Sequence, residues 1–158
     1  MVDIVTYSPA QVILTIADYQ VVGWDTIAIR KNSSSFLTVP GIRGKHTRVI
    51  NPDTSCTLSV NLIQTSRANT VLSDIHAMDA TMGTGKLSVM LKDNSGESVF
   101  SSSDAYILTY PEATFSGDFE YRTWSFFCQT VKDYKVGGNT RPKTVLDSLF
   151  DSAAGLFK

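Results

Sequence analysis

Between residues 56 and 62 the chain reads Cys-Thr-Leu-Ser-Val-Asn-Leu, with an apolar side chain at every second position. That period sends Leu58, Val60 and Leu62 to one face of a strand and Thr57, Ser59 and Asn61 to the other. The same alternation, rich in β-branched and aromatic residues and interrupted by turn-forming clusters, recurs along most of the sequence and predicts a mainly β protein. Segments 11–17 and 20–29 predict a first hairpin that turns at Asp18 and breaks near Gly23, since glycine inside a strand marks a bulge. Segments 86–92 and 97–100 flank Asp93-Asn94-Ser95-Gly96, whose residue types predict a second hairpin. Further strands are expected at 105–110, 113–115 and 121–132, the last with Trp124, Phe126 and Cys128 on one parity.

The period changes to that of a helix over 66–82. There Ala68, Leu72, Ile75 and Met78 or Asp79 recur near helical spacing, and Gly83 and Gly85 supply the stop. One helix of this length closes one end or one face of a sandwich. Segment 38–52 has neither period. It sets Pro40, Gly41, Gly44 and Pro52 around the basic residues Arg43, Lys45, His46 and Arg48, which predicts a projecting loop or ragged hairpin. Beyond residue 135 the composition shifts again, to a flexible connection over 136–142. A short helix follows, with Thr144 and Asp147 as a capping-box-like pair and with Leu146, Leu149, Phe150, Ala153 and Phe157 on one stripe. The stripe needs an apolar partner, either its own domain or a neighbouring subunit, because spacing does not name what it covers. The expected organisation is a β domain over 1–135 and a linker with a helical tail over 136–158.

Composition narrows the function. At 158 residues the chain is one domain, and its 18% charged content is below the usual quarter or so, which suits a protein that hides surface against copies of itself. Lys and Arg total 14 against 15 Asp and Glu, so no net basic field exists to hold a polyanion by counterion release. The first residues lack the basic start and apolar run of a signal peptide, and no stretch reaches the eighteen or so apolar residues of a membrane span. The expectation is a protein made in the cytoplasm, without a membrane anchor.

No catalytic, cofactor or metal set emerges. Met82-Gly83-Thr84-Gly85-Lys86 looks like half a phosphate-binding loop, but Ala80 and Leu87 stand where that motif needs Gly and Ser or Thr. The order is also helix then strand, the reverse of what cradles phosphate. His46 and His76 have no ligating neighbours in sequence. Asp118 and Glu120, two apart, would share a face if on a strand, as an acid/base pair does, but nothing else in the sequence supplies a pocket for them, and the expected reading is a solvated strand face. Asn32-Ser33-Ser34-Ser35 reads as a polar turn. Cys56 and Cys128 lie in alternating segments and are expected as buried free thiols. Trp24 and Trp124 are expected in the core, where indole area is best used, rather than on a ligand platform.

Several segments together carry a family resemblance. They are Tyr7-Ser8-Pro9, Gly23, the 41–48 loop, the strand-to-helix junction from Leu58 through Gln64-Thr65-Ser66 and Asn69 to Leu72, and Arg122-Thr123-Trp124-Ser125-Phe126. Over 8–139 the chain resembles the uncharacterised structural proteins of contractile-tailed bacteriophages, which are similar in pattern to tail tube proteins. The resemblance implies an antiparallel β-sandwich or barrel of the tail-tube type with one flanking α-helix, and no enzymatic activity. It also implies hexameric rings stacked into a hollow virion tube through which DNA passes, assembled in the host cytoplasm with tail sheath, tape measure, baseplate and tail terminator proteins. On that basis Arg43, Lys45, His46 and Arg48 are the expected ring-to-ring contacts, and Thr57, Ser59, Asn61, Asp118 and Glu120 are the expected lumen residues. Leu146, Leu149 and Phe150 are the expected neighbour-docking residues of the tail. A tube initiator, baseplate or terminator component, or a tube protein of the type VI secretion kind, shares these features. A monomeric ligand-binding sandwich would instead expose Trp24 or Trp124.

Overall fold

The computed structural model describes residues 5–139, 149 and 152–155. After a single 3-10 turn, Pro9–Gln11, strand β1 (Val12–Ile16) reverses into the two-residue β2 (Tyr19–Gln20). Ala17 and Asp18 between them both have positive φ, as a two-residue hairpin turn requires. The expected partner strand of β1 does not continue beyond this point. It is cut at Gly23, and β3 (Trp24–Lys31) pairs instead with β6 (Cys56–Ile63). A hairpin of β4 (Phe36–Pro40) and β5 (His46–Ile50) stands between them as a separate two-stranded sheet.

The remaining elements are α1 (Ala68–Met82), β7 (Leu87–Asp93), β8 (Val99–Thr109), β9 (Tyr121–Cys128) and β10 (Val131–Lys135). The main sheet runs β2-β1-β7-β8-β9-β6-β3, every pairing antiparallel, with β10 added along β8. Two corrections follow. The strands expected at 97–100 and 105–110 merge into one long strand, β8, over 99–109, and the strand expected over 121–132 is broken at Gln129-Thr130. β9 pairs with the C-terminal half of β8, whereas β10 pairs with its N-terminal half.

The two end strands of this path, β2 and β3, are consecutive in the chain. The link Val21-Val22-Gly23 reaches at most roughly 14 Å from Gln20 to Trp24, so the sheet must roll until its ends meet. Val21 N–H donates to the Leu14 carbonyl on one end, and Ile63 N–H donates to the Gly23 carbonyl on the other. The result is an open barrel around one core. Leu14 and Ile16 face Leu58, Val60 and Leu62 across Val89, Phe100, Trp124 and Phe126, all fully buried. Along the seam, the Tyr134 hydroxyl donates to the Ile29 carbonyl at 3.0 Å while its ring meets Phe100 edge-on at 5.5 Å. A cavity of about 250 Å³ remains beside it, lined by Val12, Trp24, Ile27 and Leu91 among others.

α1 lies against one end of the barrel. Ser66 Oγ accepts from Ala68 N–H and donates to the Val22 carbonyl, so the helix start is tied to the same link that closes the roll. Asn69 Oδ1 accepts from Trp124 Nε1 at 2.9 Å. Gly83, with φ +66, caps the other end by donating to the Asp79 carbonyl. The apolar stripe is shorter than expected, because Ala68 and Leu72 are buried and Ile75 packs against the core, but Met78 is exposed.

The start of the expected flexible connection is fastened. Gly138 accepts from Glu97 N–H, and Asn139 Nδ2 donates to Asp93 and Ser95 in the β7–β8 turn. Of the tail, Leu149 and residues 152–155 are helical, whereas Leu146 and Phe150 lie outside the described residues.

Candidate assembly surfaces

Three surfaces take the sequence-derived residues. The first is the β4–β5 hairpin, hereafter the arm, where a paired hairpin replaces the ragged loop expected at 38–52. Its register, Phe36 opposite Ile50 and Thr38 opposite Arg48, puts Leu37, Val39 and Val49 on the second face. The Leu37 face is mainly apolar, whereas the other sets Phe36, Pro40 and Ile50 among Thr38, His46 and Arg48; both are exposed, with Ile50 at 73% and Ile42 fully exposed at the tip. Gly44 takes φ +85 in that tip, and Gly41 N–H closes it onto the Lys45 carbonyl at 2.7 Å. Arg43, Lys45, His46 and Arg48 are all exposed here, and the Arg48 guanidinium lies 4.5 Å from the Phe36 ring centroid.

The base of the arm is a polar network that composition alone did not reveal. Asn32 donates to Ser55 Oγ and accepts from Thr57 Oγ1, and Asn51 Nδ2 donates to the Ser34 carbonyl. Asp53 accepts from Ser55 N–H at 2.9 Å and from Ser33 Oγ at 3.0 Å. These bonds, the one from the Ser55 amide first, hold the Asp53 carboxyl below its usual range. The serine run read as a polar turn is thus a fixed hinge that sets where the arm points.

The second surface is the outer face of β3, β6 and β9. Thr57, Ser59 and Asn61 stand there as the alternation predicts, opposite Arg30, Ala28 and Thr26 on one side and Phe127, Ser125 and Thr123 on the other. Arg30 is the single charge among these nine positions. Thr123 Oγ1 donates to Asn61 Oδ1 at 2.5 Å, so the polar groups partly satisfy one another and leave a smooth face of small side chains apart from Arg30 and Phe127 at one end.

Asp118 and Glu120 are not on that face. No strand forms over 113–115, and both acids lie in the irregular loop between β8 and β9. There Ser116 Oγ donates to Glu120 Oε1, and Glu120 N–H donates to Gln64 Oε1. This loop is the third surface. It exposes Phe115, 77% accessible, together with Phe119 and Tyr121, and it rests on Arg122, whose guanidinium is 5.0 Å from the Phe115 ring centroid. Of these aromatics, Phe115 was expected in a strand over 113–115, Tyr121 does begin β9, and Phe119 carried no signal in the sequence.

Among the described residues no group of three or more His, Cys, Asp and Glu could hold a metal ion, and no helix is long and apolar enough to cross a membrane. In the Met82–Lys86 segment, a side-chain carbon on Gly85 would overlap the Asp79 carboxylate, so close packing against an acid accounts for this glycine. His76 packs on Tyr110 with ring centroids 5.0 Å apart. Trp124 is buried and Trp24 packs against the core, so neither forms a ligand platform.

Cys56 and Cys128 face each other across β6 and β9 as free, fully buried thiols. Burial pushes Cys128 up from 9.0 to about 11, with the Cys56 thiol adding to it, and burial raises Cys56 as well. A raised acid favours the folded state while it stays protonated, so this contribution is intact below pH 9 and disappears as pH rises toward 11. Urea midpoints should therefore fall between pH 9 and 11, less steeply in Cys128→Ala. At pH 8 the folded protein should resist thiol reagents that label two cysteines per chain in denaturant. Rapid labelling of the native protein would contradict the packing described.

No protein-family model matches the chain. Structural protein ORF10 of Pseudomonas phage KPP10 is 31% identical over 147 residues, covering 86% of this chain and 84% of the relative. Among solved structures, the sheath/tube terminator of the extracellular contractile injection system PVC, in its extended state, superposes with a TM-score of 0.52. The identity is 11%, over 80% of this chain and 94% of that one. The tube-terminating cap of the anti-feeding prophage gives a TM-score of 0.54 at 10% identity, over 89% and 95%. These two likenesses establish a shared fold, the antiparallel barrel with a flanking helix expected from the tail-tube resemblance. The identity with the phage protein, spread over most of both chains, establishes kinship, and the protein belongs to the family of phage structural proteins that includes ORF10 of KPP10, structural rather than catalytic.

Proposed function

We propose that this protein is the subunit of a phage tail tube. The observation that carries the reading is the arm. A two-stranded hairpin is marginally stable in water at best, and this one is held out by a hydrogen-bonded polar base with one apolar and one mixed face, both uncovered. Such a device is stable only when another molecule covers it. In the proposed assembly six copies, each using residues 1–135 as its body, form a ring. Arg43, Lys45, His46 and Arg48 of the arm contact the next ring, and the tail over 136–158 reaches a neighbour through Leu146, Leu149 and Phe150.

The smooth face of Thr57, Ser59 and Asn61 is the proposed lumen wall, since small polar side chains without clustered positive charge let DNA pass without tight ion pairing. Edge pairing supports ring closure. Asn32 N–H donates to the Ser55 carbonyl, which directs the backbone groups of Asn32, Arg30 and Ala28 toward β6 and those of Ile27 and Lys31 toward the outer edge of β3, on either side of the Ile29 carbonyl that Tyr134 takes. Sheath, tape measure and baseplate proteins are the partners this role implies.

A second reading is favoured by the two solved structures of the same fold, a tube terminator and a tube cap. Under it the protein forms one ring that ends a tube. Negative-stain microscopy of the purified protein separates the two, because a tube subunit gives hollow rods of uniform width and variable length, whereas a terminator gives single rings. Monodisperse single chains at high concentration would contradict both.

A further inference from the structure

The arm and the loop between β8 and β9 leave the barrel at opposite ends of the same strands. The legs of the arm lead from Lys31 at the end of β3 and into Cys56 at the start of β6. The loop enters β9 at Tyr121, which is in register with Ile63 at the other end of β6. The eight residues of β6 separate the two by about 26 Å.

Their chemistry is reciprocal. Residues 36–50 hold Arg43, Lys45 and Arg48 and no acid, whereas residues 110–121 hold Glu112, Asp118 and Glu120 and no Lys or Arg. Each also exposes apolar side chains, Ile42 and Ile50 on the arm and Phe115 and Phe119 on the loop. Among the described residues the ion pair within the chain is Lys135 with Glu97, so none of these six charges is neutralised internally.

We infer that the arm of one copy docks on the 110–121 loop of a second copy, its apolar tip against Phe115 and Phe119 and its guanidinium and ammonium groups against Glu112, Asp118 and Glu120. The inference rests on the arm being an intermolecular contact and names the surface that receives it. Guanidinium groups suit both carboxylates and aromatic faces, and opposed fields fix the orientation of approach. A contact between opposite ends of one molecule is heterologous. It leaves a free arm at one end of every pair and a free loop at the other, so it propagates along the strand direction.

Two experiments on the full chain test this. In the first, Ile42→Cys and Phe115→Cys are purified separately, mixed and mildly oxidised. Cys56 and Cys128 are buried and stay out of the reaction. The mixture should give a disulfide-linked dimer at least ten-fold above either variant alone; equal yields, or none, overturn the docking. In the second, Arg43→Glu with Arg48→Glu, and separately Asp118→Lys with Glu120→Lys, should each abolish assembly, and combining all four should restore at least a tenth of it. Circular dichroism confirms that each variant is folded. Wild-type tubes without rescue in the combined variant overturn the docking and leave the tube reading intact. Cross-linking of Ile42→Cys to Phe115→Cys in a protein that builds neither rods nor rings supports the docking and overturns the tube reading.

Discussion

Replacing Gly23 by alanine should lower the free energy of unfolding by about 2–4 kcal/mol, from roughly 1–2 for a left-handed non-glycine residue and a similar amount for overpacking. Gly23 has φ +76, and a side-chain carbon there would lie 2.9 Å from Ser66 Cβ and 3.1 Å from Ile63 Cγ1. Neither neighbour can retreat easily. Ser66 is bonded to Val22 and to the helix start, and Ile63 is bonded to Gly23 itself. Gly83→Ala is the control, because Gly83 has φ +66 but nothing within 4 Å. It should lose only the conformational part, about 1–2 kcal/mol. Urea denaturation of the two variants measures the difference, and equal losses would show that the junction of the two sheet ends is not closely packed.

The largest loss is expected from Trp124→Ala, about 3–5 kcal/mol as for other large aromatic truncations in a core. Trp124 is 1% exposed, meets Tyr110 edge-on at 5.1 Å and donates its indole N–H to Asn69. It therefore joins β9 to α1, and its removal frees the helix as well as emptying the core. Trp124→Phe keeps most of the area and strips the hydrogen bond from Asn69, at about 1–3 kcal/mol. Thermal melts rank the three proteins. An unchanged melt in Trp124→Ala would return this residue to the surface role that a ligand-binding sandwich requires.

Much of the barrel was legible because its strands are buried on one face. In β6 the apolar side chains at 56, 58, 60 and 62 occupy the core without exception, and an alternation that strict has one physical solution. The helix end was legible through Gly83, which supplies a left-handed cap. Segment 113–115, Ala-Thr-Phe, is a loop rather than a strand because three residues with one polar position between two apolar ones look the same in a sheet and on the surface. Asp118 and Glu120 moved with it, from a supposed strand face to an end loop. The hinge of Asn32, Ser33, Asn51 and Asp53 was invisible for a different reason. Its members lie on two segments up to 25 residues from their partners, and their polarity reads as solvation until the fold brings them together.

By itself the sequence determined the class of the protein, mainly β with a flanking helix and free buried thiols, because alternation and capping are local properties. The tertiary structure decided what local properties cannot encode. Gly23 divides what reads as one strand between the two ends of a sheet, and that single division forces the roll. The roll then sets the basic arm and the acidic aromatic loop at opposite ends of β6, a relation between residues some seventy positions apart. Strand identity comes from neighbours along the chain, whereas the direction in which a surface faces depends on every pairing between.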